Sequence, residues 1–234
     1  MRKFWGYTSN VNYSVGCTGG TVYIYDCDGT ELAKFKDIPS VYSSVFSPDG
    51  NLFVARSTRA YFGVYSLNSL NLKHKVRFSN VDGSQDDGYT FSKDNAYFYN
   101  IERQQSSTNH AISVYDTSTF HRVAMFLEHD NQTEPCYIES NKDGQLFVLG
   151  FLRGKNGVIS NGFVSKFDHN GLKDLCDLPE ETFDFYKTFK HLELLGFTDK
   201  AKEWCGFDDD DDVDMNGIEL KQYPLSELWE QFHC

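Results

Sequence analysis

A turn motif that recurs at regular spacing constrains the fold of this chain more than any other feature. Residues 46–56 read FSPDGNLFVAR, and related segments begin at Phe91 (FSKDNAYFYNI) and at Ser140 (SNKDGQLFVLG). In each segment a short polar turn separates two apolar stretches that favour strands. The turn aspartates are spaced 45 and 49 residues apart, at Asp49, Asp94 and Asp143. A period of this length is typical of stacked units of one design.

A second recurring element accompanies the first. Residues 21–32, 62–72, 112–122 and 163–173 each read as a strand, a short polar turn and a further strand. Their aligned aromatic residues are Tyr25, Tyr65, Tyr115 and Phe167. Interleaving the two elements gives four units of four short strands, at about 3–36, 40–79, 89–127 and 136–176. The sequence therefore predicts a mainly β fold, a β-propeller-like array of about four four-stranded antiparallel blades.

The same residues carry a resemblance to a known family. FSPDG at 46–50 and the tripeptide Val-Tyr-Asp at 114–116 resemble the repeats of the WD-repeat β-propeller superfamily, in a degenerate form with few blades. The resemblance covers residues 1–178. It implies a scaffold that binds other proteins, and it carries no catalytic residues.

The chain changes character near Asp177. Residues 177–180 read DLPE, a helix start with a capping aspartate and an early proline. Apolar residues then recur at helical spacing, at Phe185, Phe189 and Leu192, and again at Leu225, Leu228 and Trp229. We therefore expect two parts, a propeller-like repeat domain over 1–178 and an acidic, mostly helical extension over 179–234 that packs on it. The ring could close with four blades, gain a fifth from the extension, or stay open and be capped by it.

Charge is distributed unevenly along the chain. The formal net charge is −12, and residues 180–234 carry 15 acidic and 5 basic side chains. Such a field disfavours nucleic acid and favours basic partners. The chain has no apolar run near the ~20 residues of a membrane span and no signal-peptide pattern. We therefore expect no membrane association, a cytoplasmic location, and reduced thiols at the six cysteines.

Two acidic features of the extension invite a metal or docking hypothesis. Asp212, Asp214 and Asn216 match the first half of a calcium loop, and Gly217 allows its sharp turn. Tyr223 stands where the bidentate carboxylate belongs, so a hairpin turning at 216–217 is favoured. We predict no cofactor, with calcium as the sole candidate. The run 208–212 of five aspartates is expected to be a solvated linker, or else a docking segment for a basic partner.

The longer connections of the meander predict a binding surface. They span 80–88, 102–110, 127–135 and 153–162, and in an antiparallel meander all of them project from one end, here named the long-loop face. Loops longer than tight turns usually carry function. The charged candidates for partner binding are Arg56, Arg59, Asp86, Asp87, Arg103, Glu128, Asp130, Arg153 and Lys155.

Three functions fit this sequence. The favoured one is non-enzymatic protein binding, in its narrower form an inhibitor or immunity-type protein for a basic partner. The alternative is a small glycosidase-like hydrolase that uses a central carboxylate cleft, with Glu134 and Glu139 near Asp86 and Asp87. The third is a subunit that completes its ring by oligomerisation.

Overall fold

The computed structural model describes residues 3–79, 88–103, 110–127, 133–140, 144–153, 159–168 and 171–177. They form sixteen strands in four sheets. Sheet 1 contains β1 (Gly6–Ser9), β2 (Tyr13–Cys17), β3 (Val22–Asp26) and β4 (Glu31–Phe35). Sheet 2 contains β5 (Val41–Phe46), β6 (Leu52–Ser57), β7 (Tyr61–Ser66) and β8 (Asn71–Arg77). Sheet 3 contains β9 (Tyr89–Phe91), β10 (Tyr97–Arg103), β11 (His110–Asp116) and β12 (Arg122–Leu127). Sheet 4 contains β13 (Thr133–Ser140), β14 (Leu146–Arg153), β15 (Ile159–Asp168) and β16 (Gly171–Asp177).

Every sheet is an antiparallel meander whose strands pair in chain order. The four predicted units are therefore confirmed as a propeller-like array of four-stranded sheets. Among the residues placed by the structure, none forms a helix long and apolar enough to cross a membrane. The helical extension predicted over 179–234, and the division of the chain into two parts, fall on residues outside the described ranges and stay predictions.

The recurring turn motif adopts one geometry in sheets 2 and 3. The Ser47 hydroxyl donates to Asp49 Oδ1 at 2.6 Å and accepts from the Leu52 amide at 2.9 Å. In the next sheet, the Ser92 hydroxyl donates to Asp94 Oδ1 at 2.6 Å and accepts from the Tyr97 amide at 2.9 Å. The serine and aspartate of the motif thus close the turn between the first two strands of a sheet.

These turns lie on one side of the array, as the repeat predicts. The backbone N–H of Asp49 donates to Asn95 Oδ1 at 3.3 Å, so the turns of sheets 2 and 3 touch. Gly144, in the equivalent turn of sheet 4, lies against the Lys93 side chain. Asp143 itself is outside the described residues. The equivalence of the Asp49 and Asp94 turns is therefore confirmed.

Gly50 supplies a testable consequence of this turn geometry. Its φ is +69°, while Asn95 holds the equivalent position at +59°. A Cβ at Gly50 would meet no atom within 4 Å, so backbone conformation alone decides the cost of a side chain. Because a left-handed conformation costs an L-residue about 1–2 kcal/mol, Gly50→Ala should lower the free energy of unfolding by that amount.

Asparagine at Gly50 should cost less than alanine, since the chain already uses it at position 95. Gly20→Ala is the matched control, because Gly20 is equally open but has no positive φ. Urea titrations of the three variants give the comparison. Equal midpoints for Gly50→Ala and Gly20→Ala would contradict the assigned turn.

Three apolar cores hold the four sheets face to face. The first joins sheets 1 and 2 through Val15, Ile24, Val41, Phe53 and Tyr65. The second joins sheets 2 and 3 around Phe62, whose ring lies 5.1 Å from that of Tyr115 and 5.2 Å from that of Phe98. The third joins sheets 3 and 4 through residues that include Ile101, Val114, Ile138, Val148 and Phe167. The aligned aromatics of the second recurring element thus contribute to each core.

The first strand of each sheet is the strand that lies closest to the adjacent sheets. A Cβ at Gly6 would overlap the Tyr42 carbonyl oxygen, which shows how closely β1 approaches β5. Gly88, next to β9, donates its backbone N–H to the Cys136 carbonyl of β13 at 2.6 Å. The first strands therefore form the inner side of the array, as they do in a propeller.

The two ends of the array do not form a matching interface in the described part of the chain, because strands of sheets 1 and 4 are not packed as successive sheets are. On sheet 1, Trp5 is 65% exposed and Tyr7 is 59% exposed. How the ring closes, with four blades, with a fifth from the extension, or open and capped by the extension, stays a prediction, because residues 178–234 lie outside the described ranges.

Candidate functional site: the long-loop end and its buried charges

The strand directions place the longer connections at one end of the array, opposite the Asp49 turn. Arg59 is exposed in the turn between β6 and β7, and Arg103 is exposed at the last residue of β10. Arg153 is the last residue of β14 at this same end. The other predicted binding residues, Asp86, Asp87, Glu128, Asp130 and Lys155, lie outside the described residues, as do Asp212, Asp214 and Asn216 of the calcium candidate.

Arg56 requires a correction. The sequence places it on the binding face, but its side chain is 0% exposed inside the interface of sheets 2 and 3. Its Nη1 donates to the Tyr42 hydroxyl at 2.9 Å, and its Nη2 donates to the Ile101 carbonyl of β10 at 2.8 Å. The physical reason is that buried acceptors on two strands pair with its two terminal nitrogens, which a planar group with donors in fixed directions can do. Arg56 connects the two sheets instead of contacting a partner.

Aromatic rings complete the surroundings of Arg56. Its Cζ lies 5.1 Å from the Phe78 ring centroid and 5.6 Å from that of Tyr89. The Tyr89 hydroxyl donates to Ser43 Oγ at 2.6 Å, which links β9 to β5. Burial raises the pKa of Tyr89 well above its ordinary value, so this phenol remains a neutral donor. The guanidinium is thus held by cation–π contacts as well as by hydrogen bonds.

Glu102 is a second buried charged residue in the same interface. Its side chain is 0% exposed, and its Oε1 accepts from the Tyr115 hydroxyl at 2.6 Å and from Asn100 Nδ2 at 3.1 Å. Its Oε2 lies 3.3 Å from Nη1 of Arg122, whose side chain is 42% exposed. This carboxylate therefore connects β10, β11 and β12 just below the loop between β10 and β11.

Burial is the largest influence on Glu102 and raises the pKa of its carboxyl above the usual range. Hydrogen bonds from Tyr115 and Asn100 and the positive charge of Arg122 lower the pKa but offset only part of that rise. Burial, followed by the neighbouring Glu102 charge, also raises the pKa of Tyr115. The Tyr115 phenol therefore stays neutral and donates its hydrogen bond to the Glu102 carboxyl group.

A third polar pair joins sheets 3 and 4 at the same end. His110, at the start of β11, is buried, and its Nδ1 lies 3.8 Å from Oε1 of Glu134 on β13. Arg103 pairs with His110 across the β10–β11 ladder. The strand ends that carry the long connections are thus tied together by polar side chains between sheets, and rigid strand ends position loops more accurately.

Glu134 and Glu139 of the hydrolase alternative are not arranged as a glycosidase pair with each other, and Asp86 and Asp87 lie outside the described residues. Glu134 and Glu139 stand four ladder positions apart, opposite Phe151 and Phe147, a backbone separation of about 13 Å. Glycosidase carboxyl groups are separated by roughly 5–9.5 Å. Glu139 accepts from Thr90 Oγ1 at 3.2 Å and from the Tyr137 hydroxyl at 2.9 Å, whereas Glu134 faces His110. No contact among the described residues therefore favours this alternative.

The His, Cys, Asp and Glu side chains of the described ranges are the candidates for metal and thiol chemistry. There, no cluster of three or more His, Cys, Asp or Glu side chains could hold a metal ion. Cys17, Cys27 and Cys136 are free thiols. Burial raises the pKa of Cys17 to about 12, with a small opposing effect from Ser44, so this thiol is unreactive.

Sequence reasoning missed Glu102 and the acceptors of Arg56. A signal was present, because each charged residue ends a run of strand-forming residues, FVAR at 53–56 and FYNIE at 98–102. A charged residue within such a run is either at a strand end in solvent or buried with partners. The choice depends on the neighbouring sheet, which the local sequence does not encode.

Comparison with known proteins supports the fold. No family model matches the chain, and no curated protein matches it. Among solved structures, the chain is similar to the hydrazine synthase of Kuenenia stuttgartiensis, with a TM-score of 0.60 and 14% identity, over 74% of this chain and 53% of that chain. It is also similar to the WD40 domain of Toxoplasma gondii coronin, with a TM-score of 0.55 and 17% identity, over 72% of this chain and 43% of that chain.

At these identities the likeness concerns the fold alone. The WD40 domain agrees with the repeat motif and with the four meanders, so the propeller-like architecture is established. This chain spans about half the length of the two proteins it matches, 53% and 43% respectively. The hydrazine synthase is an enzyme by name, whereas the coronin domain is a WD40 domain. These two similarities therefore do not decide between catalysis and binding for this chain.

Proposed function

We propose that this chain is a non-enzymatic protein-binding domain and that its long-loop face is the binding surface. The observation that carries the proposal is the position of the buried polar pairs. Arg56 with Ile101, His110 with Glu134, and the buried Glu102 lie beneath the strand ends from which the long connections leave. A scaffold that fixes loop ends in this way suits recognition by loops.

The partner we propose is a basic protein, and the narrower role is that of an inhibitor or immunity-type protein. The formal net charge of −12 supports this choice of partner. Charges at such a surface set orientation and association rate more than affinity. Arg59 and Arg103 are two exposed cations of the described part of the face, and they would orient the partner by contacting its acidic residues.

We place the protein in the cytoplasm. The free thiols of Cys17, Cys27 and Cys136 support a reducing compartment. The resemblance to WD-repeat proteins, which implies a scaffold that binds other proteins, supports this role by analogy of fold.

Affinity capture from the native host, read by mass spectrometry, tests the proposal. The native chain should retain a basic protein, and the triple variant Arg59→Glu, Arg103→Glu, Lys155→Glu should retain at least tenfold less with little change in thermal stability. Arg56 is left intact because its burial would confound the result.

The control variant is Lys3→Glu, Lys34→Glu, Lys93→Glu, which changes net charge equally at exposed sites other than the predicted binding residues. Capture that is lost in the control and kept in the loop-face variant would place the surface elsewhere.

A further inference from the structure

An exposed row of cations runs along the outer strand of sheet 2. Exposed and half-buried side chains alternate along β8, and the exposed positions include Lys73, Lys75 and Arg77. Residues at alternate positions of a strand lie on the same face. Together with Tyr61 of β7, these cations are here named the basic strip.

Contacts with described residues hold two of these cations in place. Lys75 Nζ lies 5.3 Å and Arg77 Cζ lies 5.6 Å from the centroid of the Tyr61 ring. Lys75 Nζ donates to the Asp37 carbonyl at 2.6 Å, and Arg77 Nε donates to the Ser79 carbonyl at 3.2 Å. Neither of these acceptors is a carboxylate, so the positive charges of the strip are positioned but not neutralised by them.

The ion pairs found among the described residues involve Arg122 and His110, not the strip. A surface with three such cations is unexpected in a chain whose net charge is −12. Its complement lies in the same chain, because five consecutive aspartates occupy 208–212. The basic strip therefore has a candidate anionic binding segment in its own chain, which is always present at high effective concentration.

The length of the intervening chain allows the two to meet. Asp177 ends β16, and residues 178–207 separate it from the aspartates. Thirty residues extend over at most about 100 Å, whereas packed sheets lie about 10 Å apart. One sheet, sheet 3, lies between sheet 4, which contains β16, and sheet 2, which carries the strip, so reach does not limit the contact.

We propose that the Asp208–Asp212 run docks on the basic strip of its own chain. The contact is electrostatic, so it weakens as salt screens the charges.

Zero-length carbodiimide cross-linking of the full chain, read by peptide mass spectrometry, tests the docking directly. Amide cross-links should join Lys73 or Lys75 to the 208–212 peptide within one chain, and 0.5 M salt should reduce them several-fold. Cross-links that join two chains, or that connect this peptide mainly to lysines outside the strip, would overturn the proposal.

Charge exchange provides the second readout. Lys73→Glu, Lys75→Glu, Arg77→Glu should increase the radius of gyration measured by X-ray scattering, and so should replacing the five aspartates with lysine. Combining the two sets should restore the native radius. The control set Lys3→Glu, Lys34→Glu, Lys93→Glu should leave the radius unchanged. Failure of the combined variant to restore it would overturn the docking, and because no partner enters either experiment, the result is independent of the capture test.

Discussion

Replacing Arg56 with alanine is expected to lower the free energy of unfolding by about 3–5 kcal/mol. The change removes the donors to the Tyr42 hydroxyl and to the Ile101 carbonyl in a fully buried interface. An acceptor left buried without a partner costs about 1–3 kcal/mol, and the cavity beside Phe78 and Tyr89 adds to the loss. Urea unfolding followed by circular dichroism gives the free energy directly.

Arg59→Ala is the matched control, because Arg59 lies three residues further along and is exposed. An exposed substitution of this kind usually changes the free energy of unfolding by less than about 0.5 kcal/mol. Arg56→Lys should fall between the two, since an ammonium keeps the charge but does not reproduce two donors in a fixed plane. Similar losses for Arg56→Ala and Arg59→Ala would show that Arg56 does not connect sheets 2 and 3.

This position also shows the limit of a surface prediction made from charge. Arg56 follows Phe53, Val54 and Ala55 at the end of a strand, where the sequence alone makes solvent exposure the reasonable expectation. Its burial depends on Ile101, which is 45 residues away in sequence and belongs to the next sheet. No local pattern encodes the presence of that acceptor.

The fold, in contrast, could be predicted from the sequence because the contacts that specify its turns are local. Ser47, Asp49 and Gly50 specify their turn through contacts within five residues. The same contacts recur at Ser92 and Asp94, so the period of the repeat reports the period of the sheets. Local, repeated chemistry therefore predicted the strands and the order of their pairing.

The candidate site could be predicted from the sequence in part. Strand order decides which connections share an end, so the place of Arg59 and Arg103 followed from the sequence. The buried polar pairs near Arg59 and Arg103 could not be predicted from the sequence, because each pair joins residues on different strands or sheets. His110 and Glu134, for example, lie on different sheets. The end of the array that carries the long connections can thus be located from topology, whereas the contacts that position those connections depend on packing.

The second large effect is expected at Glu102. Glu102→Ala removes the acceptor of the buried Tyr115 hydroxyl and of Asn100, and it should lower the free energy of unfolding by about 3 kcal/mol or more. Glu102→Gln keeps an oxygen for both donors and the volume of the side chain, so at neutral pH its loss should be much smaller. Arg122→Ala, which removes only the half-exposed partner, should cost less than Glu102→Ala.

The Glu102→Gln variant also tests the raised pKa of this carboxyl through pH. Burial raises the pKa in the folded state above the value of about 4.3 expected in the unfolded chain. The folded protein therefore holds this proton more tightly, and its contribution to stability is complete below the unfolded pKa and declines as pH rises through the folded pKa. Glutamine does not titrate, so the stability of Glu102→Gln relative to the native protein should increase with pH across that window and then level off.

Urea unfolding of both proteins from pH 4 to 8 measures the difference in stability. The contributions of all other titrating groups cancel because the two chains share them. A difference that stays constant with pH, or that changes in the opposite direction, would show that Glu102 is stabilised as a carboxylate by Arg122 and its hydrogen bonds more than it is destabilised by burial.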